Sequence, residues 1–458
     1  MVNTGFLVEK CASNFEANNL IRTKLNSLTN EPGYWDFRRQ AKRDALHGIK
    51  QYPAMMVPAM QGKLLDVISE VLGDSINVLD PFVGSGTTLL ESMRRGVNFY
   101  GQDFNPLAIL ISLTKIGPFR IEKLIESFES LCETISKDNV SSIDIEFPGR
   151  EKWFTDVVSR DLSRVRRAII QENDLWVRRM FWVALAETVR LTSNSRTSTF
   201  KLHIISKEQF VARNLDVYSE FKKIVNESIT RVKQEVKNLS EANFLFENCY
   251  SKTVHLELGK TEVSLPGTEL FDLLITSPPY GDGKTTVPYG QYSYLPLQWI
   301  DLQDIFPNID KNIYLKSTHE IDSQSLGGSC RNALHRVDNL YNQSNTLEKY
   351  IQELMQINGN YSIRVAAFFA DLALALDTIC SRMKNGGYMI WTVGNRRVGG
   401  ILQPFDKILS ELLQFRECVP IETLERTIPS KRMANRNAIS QTMRKEQVLL
   451  FQVSKVND

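Results

Sequence analysis

The first candidate for chemistry is the stretch SPPY, which directly follows the hydrophobic run of residues 273–276. Proline has a fixed φ and no N–H, so Pro278 and Pro279 predict a rigid turn at the end of a buried strand. Such a turn presents the Ser277 hydroxyl and backbone carbonyls as fixed hydrogen-bond acceptors, with the aromatic face of Tyr280 beside them. This arrangement suits a planar base that carries an exocyclic amino group.

The second candidate is LDPFVGSGTTLLE, a short hydrophobic segment that passes through two glycines into a helical pattern. Gly84 and Gly86 favour a tight turn that brings backbone N–H groups and the start of a helix close to a ligand. The stretch lacks the lysine of a phosphate-binding P-loop, and Leu89 replaces the third glycine of a dinucleotide fingerprint. Ser85 or Thr87 capping the helix would explain the polar residues in purely structural terms.

An acidic residue follows the next predicted strand, in FYGQDFNPLA. Asp103 has the position at which a carboxylate accepts hydrogen bonds from ribose hydroxyls in nucleotide-binding sheets. The structural alternative is that Asp103 caps the helix that starts at NPLA. The two turns together favour a nucleoside-containing cofactor that is bound without a phosphate grip, and S-adenosylmethionine meets that description.

A parallel sheet is needed to bring these segments together. Strand, helix and strand alternate with short connections between residues 76 and 103, which is the pattern of a βαβ unit. Hydrophobic periodicity then predicts helices over residues 120–250, a strand before Ser277, and two further helix–strand pairs towards residue 453. Tyr, Ser, Gly, Asn and Gln are frequent in residues 284–350, which predicts long loops there.

The predicted fold class is therefore α/β, a doubly wound, mostly parallel Rossmann-like sheet with a large helical insertion. The predicted organisation has four parts. They are an N-terminal helical arm (1–45), a sheet domain made of two segments (46–119 and 251–458), a mostly helical insertion (120–250) and, within the second segment, a loop-rich stretch (284–350).

The composition narrows the class of protein further. The 458 residues are 42% hydrophobic and 24% charged, with a net charge of +2, as in an ordinary globular protein with two or three domains. Six cysteines without CxxC spacing predict reduced thiols, and five isolated histidines argue against a metal site or a His-based catalytic triad. The chain has neither a signal pattern nor a hydrophobic run of membrane-spanning length, so we expect an intracellular protein that binds neither membrane nor metal.

In combination, DPFVGSGTT and TSPPY resemble the cofactor-binding and catalytic motifs of the amino-methylating DNA methyltransferases. The serine of SPPY resembles the N4-cytosine subgroup, because Asp or Asn is usual there in N6-adenine enzymes. HGIKQYPAMMVPAMQGKLL, residues 47–65, resembles the segment that completes the cofactor pocket, and MKNGGYMIWTVGNRR resembles a late helix–strand element of the family. The matches cover most of residues 45–115 and 270–455 but not the helical insertion.

The resemblance implies that the sheet domain is a methyltransferase domain whose cofactor is S-adenosylmethionine. The implied catalytic residues are Ser277, Pro278, Pro279 and Tyr280. The implied cofactor-binding residues are Tyr52, Pro53, Asp80, Phe82, Gly84, Gly86, Thr87, Asp103 and Asn105.

The motif order departs from that of many N4-cytosine enzymes, since the glycine motif here precedes SPPY. The family is known for circularly permuted motifs, so the departure affects only where the target sequence is recognised: residues 120–250, residues 284–350, or both. The predicted loop ERTIPSKRMANRN mixes cations with Asn and Ser, as phosphate-contacting loops do, whereas Arg runs in the helical insertion are usually solvated faces. The predicted DNA-binding residues are Lys431, Arg432 and Arg436.

The predicted function is site-specific methylation of the exocyclic N4 amino group of a cytosine flipped out of double-stranded DNA. The methylation would protect the site from a cognate restriction endonuclease, in the cytoplasm of a bacterium or archaeon and in association with the nucleoid. Two alternatives stay open: methylation of N6 of adenine in DNA, and methylation of RNA of the transfer-RNA guanine-N2 type.

Overall fold

The computed structural model describes residues 4–38, 43–211, 213, 215–280, 287–428 and 445–455. The predicted DNA-binding residues Lys431, Arg432 and Arg436 lie outside these ranges. The described part of the chain forms β1 (Asn77–Asp80), β2 (Asn98–Asp103), β3 (Leu245–Phe246), β4 (Cys249–Tyr250), β5 (Val254–Leu258), β6 (Phe271–Thr276), β7 (Met383–Val393), β8 (Arg397–Val398), β9 (Ile401–Leu402), β10 (Cys418–Thr427) and β11 (Lys445–Val453).

Seven of these strands form the central sheet, in the order β10-β11-β7-β6-β1-β2-β5. Strands β5, β2, β1, β6 and β7 pair in parallel, whereas β11 runs antiparallel to both of its neighbours. The strands β3 and β4, and likewise β8 and β9, form short separate hairpin ladders. The predicted α/β, mostly parallel Rossmann-like sheet is confirmed.

The helices flank this sheet on both sides. The described residues form α1 (Thr4–Thr29), α2 (Pro58–Leu72), α3 (Thr87–Met93), α4 (Pro106–Thr114), α5 (Ile121–Lys137), α6 (Arg150–Trp153), α7 (Asp156–Ile170), α8 (Leu175–Thr192), α9 (Lys207–Val211), α10 (Val217–Glu241), α11 (Tyr289–Trp299), α12 (Lys311–Leu315), α13 (Glu320–Gln324), α14 (Ala333–Asp338), α15 (Asn345–Ile357), α16 (Gly359–Arg382) and α17 (Phe405–Phe415). None of them is both long enough and apolar enough to span a bilayer.

The two faces of the sheet contribute to two hydrophobic cores. Along β6, Leu273 and Ile275 belong to one core and Leu274 to the other, because successive side chains of a strand point to opposite faces. The first core also contains side chains of α5, α7, α8, α10 and α11, and the second contains side chains of α14 to α17. The helices between residues 120 and 250 therefore share the first core with the sheet, and α8 packs against α4 and α11.

The segment 284–350 differs from the prediction of long loops. Its described residues form α11, α12, α13, α14 and the start of α15, joined by short connections. The polar residues there begin helices: Asp310 accepts a hydrogen bond from Asn312 N at 2.9 Å, and Ser344 Oγ accepts one from Leu347 N at 3.0 Å. Asp, Asn and Ser favour both helix caps and turns, so composition alone did not separate the two.

Two strands of the sheet were not predicted, and both are edge strands. All residues of β5 are partly exposed, and exposed and buried residues intermingle along β10. Edge strands carry polar side chains and therefore lack the continuous hydrophobic run of a strand that is covered on both faces.

Candidate functional site

The carboxyl ends of β1, β2 and β6 open onto one cleft of about 830 Å³, including its solvent-open mouth. Ligands of open α/β sheets bind at this edge, beyond the ends of the parallel strands. Except for Asp80 and Gly86, every residue predicted to bind the cofactor lines the cleft: Tyr52, Pro53, Phe82, Gly84, Thr87, Asp103 and Asn105.

The turn between β1 and α3 needs both of its glycines. Gly84 has φ +51° and Gly86 has φ +72°, values that L side chains rarely adopt. A Cβ at Gly86 would also lie only 2.9 Å from the Ser112 hydroxyl. Gly86 itself occupies the N-cap position of α3, so neither Ser85 nor Thr87 caps the helix. The capping explanation of this motif is therefore wrong.

The carboxylate of Asp103 connects this turn with the turn after β2. Asp103 Oδ2 accepts a hydrogen bond from Gly84 N at 2.9 Å, and Oδ1 accepts one from Asn105 N at 2.8 Å. The cap of α4 is Asn105, whose Oδ1 accepts a hydrogen bond from Leu107 N at 3.0 Å. Burial raises the pKa of Asp103 to about 6 against the opposing effect of the backbone N–H groups. Asp103 is therefore not the helix cap but a half-buried acceptor at the cleft.

The segment before α2 closes the cleft from the side of Tyr52. The ring of Tyr52 packs on Gly84, where an added Cβ would lie 3.6 Å from Tyr52 Cε1. Asn105 Nδ2 donates to Tyr52 OH at 2.9 Å and to Ser293 Oγ at 2.7 Å. Asn105 thus joins three segments that are distant in sequence.

Asp80, at the end of β1, links the glycine turn to the strand before SPPY. It is fully buried, and its Oδ1 accepts hydrogen bonds from Thr276 Oγ1 at 2.7 Å and from Phe82 N at 3.2 Å. Burial raises the pKa of Asp80 to about 6 despite these bonds. The structure therefore couples the two sequence motifs through a single carboxyl group.

The SPPY turn separates the cleft from an adjoining pocket of about 490 Å³. Ser277, Pro279 and Tyr289 line both spaces, and Pro278 and Tyr280 line the second. The Ser277 and Tyr280 hydroxyls lie 2.8 Å apart, and Tyr280 OH donates to the carbonyl of Thr392 at 3.3 Å. Burial raises the pKa of Tyr280 well above its ordinary value, so its phenol stays protonated.

Several residues at the site were not found from the sequence. Tyr289, Asp322, Ser325 and Leu326 reach the two spaces from α11, α13 and the residue pair that follows α13. The aromatic, Gly-rich stretch after SPPY was a signal for Tyr289, but no local pattern indicates the others. Lys115 was missed as well: it is fully buried, donates from Nζ to the Ser85 carbonyl at 2.5 Å, and has its pKa lowered by burial to about 7.

The arginines of the helical insertion are largely engaged within the chain. Arg178 forms two hydrogen bonds with the carboxylate of Asp304, at 2.6 and 2.7 Å, and so connects α8 with the segment after α11. Arg426, which the sequence places beside the predicted DNA-binding cluster, is buried in β10 and pairs with Glu446 at 2.9 Å. Within the described ranges, no group of three or more His, Cys, Asp or Glu side chains is arranged to hold a metal ion.

The sheet order, the glycine turn after β1, the acidic residue after β2 and the SPPY turn after β6 together define a Rossmann-like methyltransferase. The chain is 31% identical over 432 residues to the Type II methyltransferase M.MvaI of Kocuria varians, with 91% of each protein covered. It is also 31% identical over 128 residues to the Type II methyltransferase M.MjaII of Methanocaldococcus jannaschii, which covers 26% of this chain and 24% of that protein. No protein-family model matches the chain, and no solved structure matches it significantly.

The chain therefore belongs to the Type II methyltransferases, the site-specific DNA methyltransferases of restriction–modification systems.

Proposed function

We propose that the protein transfers a methyl group from S-adenosylmethionine to the N4 amino group of a cytosine flipped out of double-stranded DNA. The main support is the position of SPPY between two adjoining spaces. Ser277 and Pro279 line both the cleft around Gly84 and Asp103 and the pocket that contains Tyr280. A cofactor in the cleft and a base in the pocket would meet at this turn.

The cleft offers acceptors that suit a nucleoside. Each oxygen of Asp103 accepts one backbone hydrogen bond, so further lone pairs remain for ribose hydroxyls. Ser85 Oγ lies buried at the cleft without a hydrogen-bond partner among the described residues, a group that a ligand can satisfy. When bound there, S-adenosylmethionine supplies an electrophilic methyl group. Tyr52, Phe82 and the glycine turn would hold its adenosine part.

The hydroxyl pair at SPPY would prepare Ser277 to accept. When the Tyr280 phenol donates its one proton to the Thr392 carbonyl, the proton between the two hydroxyls belongs to Ser277. The lone pairs of Ser277 Oγ are then free to accept a hydrogen from an amino group, and the Pro278 carbonyl would accept the second hydrogen. Two such bonds favour a pyramidal nitrogen, whose lone pair is otherwise delocalised into the ring.

Base flipping costs about a few kcal/mol, and stacking on the ring of Tyr280 would offset about 1–3 kcal/mol of it. Positioning would supply most of the rate acceleration. No covalent intermediate is required, and the sequence has no Pro-Cys pair of the kind used for methylation at carbon 5.

We further propose that the DNA duplex contacts Lys431, Arg432 and Arg436 through its phosphates and that residues 120–250, 284–350 or both recognise the target sequence. Pairing with a restriction endonuclease, in the cytoplasm of a bacterium or archaeon and near the nucleoid, would give the methylation its protective role. The presence of Tyr289 and Asp322 in the pocket beside SPPY favours a contribution from 284–350.

The test is a product analysis. Unmodified genomic DNA is incubated with the enzyme and methyl-labelled S-adenosylmethionine, digested to nucleosides and resolved by mass spectrometry, with a Ser277→Ala variant as the control. Label in N4-methylcytosine that falls sharply in Ser277→Ala supports the proposal. Label in N6-methyladenine would show that Ser277 does not select cytosine. Absence of label in DNA, with label appearing when RNA is supplied instead, would refute the proposed substrate.

A further inference from the structure

We propose that Asp322 recognises the flipped base by hydrogen-bonding the ring nitrogen next to its amino group. This inference rests on the proposed function and assigns a specificity role to a residue that no sequence motif contains. Asp322 lies on α13 and lines the same pocket as Ser277, Pro278 and Tyr280.

The carboxyl group of Asp322 is held in place by the start of α11. Its Oδ1 accepts a hydrogen bond from Gly290 N at 2.9 Å. A Cβ at Gly290 would lie 3.0 Å from Asp322 Oδ2 and 2.9 Å from the Thr318 carbonyl, so only glycine allows this close packing. The carboxyl group therefore has a defined position relative to the base pocket.

The surroundings of Asp322 favour a carboxyl group that can hold a proton. Burial raises the pKa of Asp322 to about 6, and the backbone N–H groups of Gly290 and Tyr289 and the neighbouring His319 oppose this shift. A group in this condition can donate through O–H as well as accept through its second oxygen.

The chemistry of the two amino-bearing target bases matches such a group. Cytosine presents N3 beside its N4 amino group, and adenine presents N1 beside its N6 amino group; both ring nitrogens are acceptors. A protonated carboxyl group can donate to that ring nitrogen, and both amino hydrogens then remain for Ser277 Oγ and the Pro278 carbonyl. Thymine and guanine carry an N–H donor at the corresponding ring position, so the protonated form of Asp322 would discriminate against them.

The competing explanation is that Asp322 only caps the start of α11. An analogue of the target base distinguishes this structural role from recognition of the base. The target base, identified by the product analysis and placed in its mapped site, is replaced in a synthetic duplex by its deaza analogue, in which C–H replaces the ring nitrogen. The steady-state kcat/KM is measured for both duplexes with wild type, Asp322→Ala and the control Asp310→Asn, which changes an exposed helix cap. The analogue changes the intrinsic reactivity of the amino group equally for all variants, so only differences between variants report the contact.

Wild type and Asp310→Asn should lose about 10- to 100-fold in kcat/KM with the deaza duplex, as expected when a buried donor is left without its hydrogen-bond acceptor. With the natural duplex, the kcat/KM of Asp322→Ala should fall below that of wild type by about the same factor, and the deaza analogue should lower it little further. The affinity of this variant for S-adenosylmethionine should stay within about threefold of wild type. If Asp322→Ala does not fold, Asp322→Ser, which retains a hydroxyl beside α11 but is too short to reach the base, serves the same comparison. Undiminished discrimination by either variant would overturn the role of Asp322, whereas absence of a methylated DNA base in the product analysis would overturn the proposed function itself.

Discussion

Replacing Asp103 with asparagine should weaken cofactor binding and leave the stability of the folded protein nearly unaltered. The carboxylate accepts hydrogen bonds from Gly84 N at 2.9 Å and from Asn105 N at 2.8 Å. Under the proposed function it also accepts hydrogen bonds from ribose hydroxyls. An asparagine amide has one oxygen, so its NH₂ group would face one of these donors. A hydrogen bond to a charged group contributes about 1.5–3 kcal/mol, so the dissociation constant for S-adenosylmethionine should rise about 10- to 150-fold.

The same change should leave the stability of the free protein nearly unaltered. The pKa of Asp103 is raised from 3.8 to about 6, so ionising it in the folded protein at neutral pH costs at most about 3 kcal/mol, and less because the group is partly hydrated. Asparagine removes this cost while it weakens the backbone hydrogen bonds, and the two effects oppose each other. We therefore expect a change of about 1 kcal/mol or less in the free energy of unfolding.

In wild type, the stability of the free protein and the affinity for the cofactor should change with pH in opposite directions. The pKa of Asp103 is higher in the folded protein than in the unfolded chain, so Asp103 makes the free protein more stable as pH falls through about 6 towards 4. Cofactor affinity falls over the same range because the carboxylate that accepts the ribose hydroxyls becomes protonated. Asp80 and Asp322 have raised pKa values of about 6 as well, so the contribution of Asp103 is the difference between wild type and Asp103→Asn. The Tyr52 and Tyr289 phenols, which face the cleft, remain protonated throughout because burial raises their pKa values.

Calorimetric titration with S-adenosylmethionine from about pH 5.5 to 8, together with thermal unfolding at each pH, tests these expectations. The matched control is Asp272→Asn, because Asp272 also accepts a backbone hydrogen bond, from Asn77 N at 2.9 Å, but lies at the opposite end of β6. The control should lower stability and leave cofactor affinity unchanged. If a folded Asp103→Asn variant binds the cofactor within about threefold of wild type, the proposed contact with ribose is refuted.

Three further perturbations follow from the site. Tyr280→Ala should lower the rate of DNA methylation about 10- to 100-fold because the base loses its stacking partner, while the cofactor affinity measured by equilibrium titration stays unchanged. Loss of cofactor binding would contradict the assignment of Tyr280 to the base pocket. Gly86→Ala should destabilise the protein by about 1–2 kcal/mol or more, since the φ of Gly86 is +72° and the new Cβ would lie 2.9 Å from the Ser112 hydroxyl. An unchanged melting temperature would show that the turn can rearrange. Neutralising Lys431 and Arg432 together to glutamine should reduce the slope of DNA affinity against salt concentration by up to about 2, whereas an unchanged slope would remove both from the phosphate contacts.

Much of the fold could be predicted from local patterns. The interior strands β1 and β6 contain short hydrophobic runs, residues 78–79 and 273–275, because both faces of these strands are covered. The helix α5 (Ile121–Lys137) lies in the region predicted to be helical, because hydrophobic side chains recur at helical spacing along it. The edge strands β5 and β10 were not predicted, since half-exposed strands lack that signal.

The sequence by itself determined the two turns at the site, because their requirements are local. A positive φ at Gly84 and Gly86 and the rigidity of two prolines arise from the covalent geometry of those residues. The acidic residue after the next strand and the family resemblance also depend only on residues that are close in the chain.

The tertiary structure alone decided which distant residues join those turns. Asp322 reaches the base pocket because α13 packs on the start of α11 at Gly290, and Lys115 reaches the glycine turn from the end of α4. Arg178, a cation of the helical insertion, is paired with Asp304 and connects α8 with the segment after α11. Contacts of this kind depend on long-range packing, which leaves no periodic mark in the chain, and so the residues that complete the pocket became visible only in the folded protein.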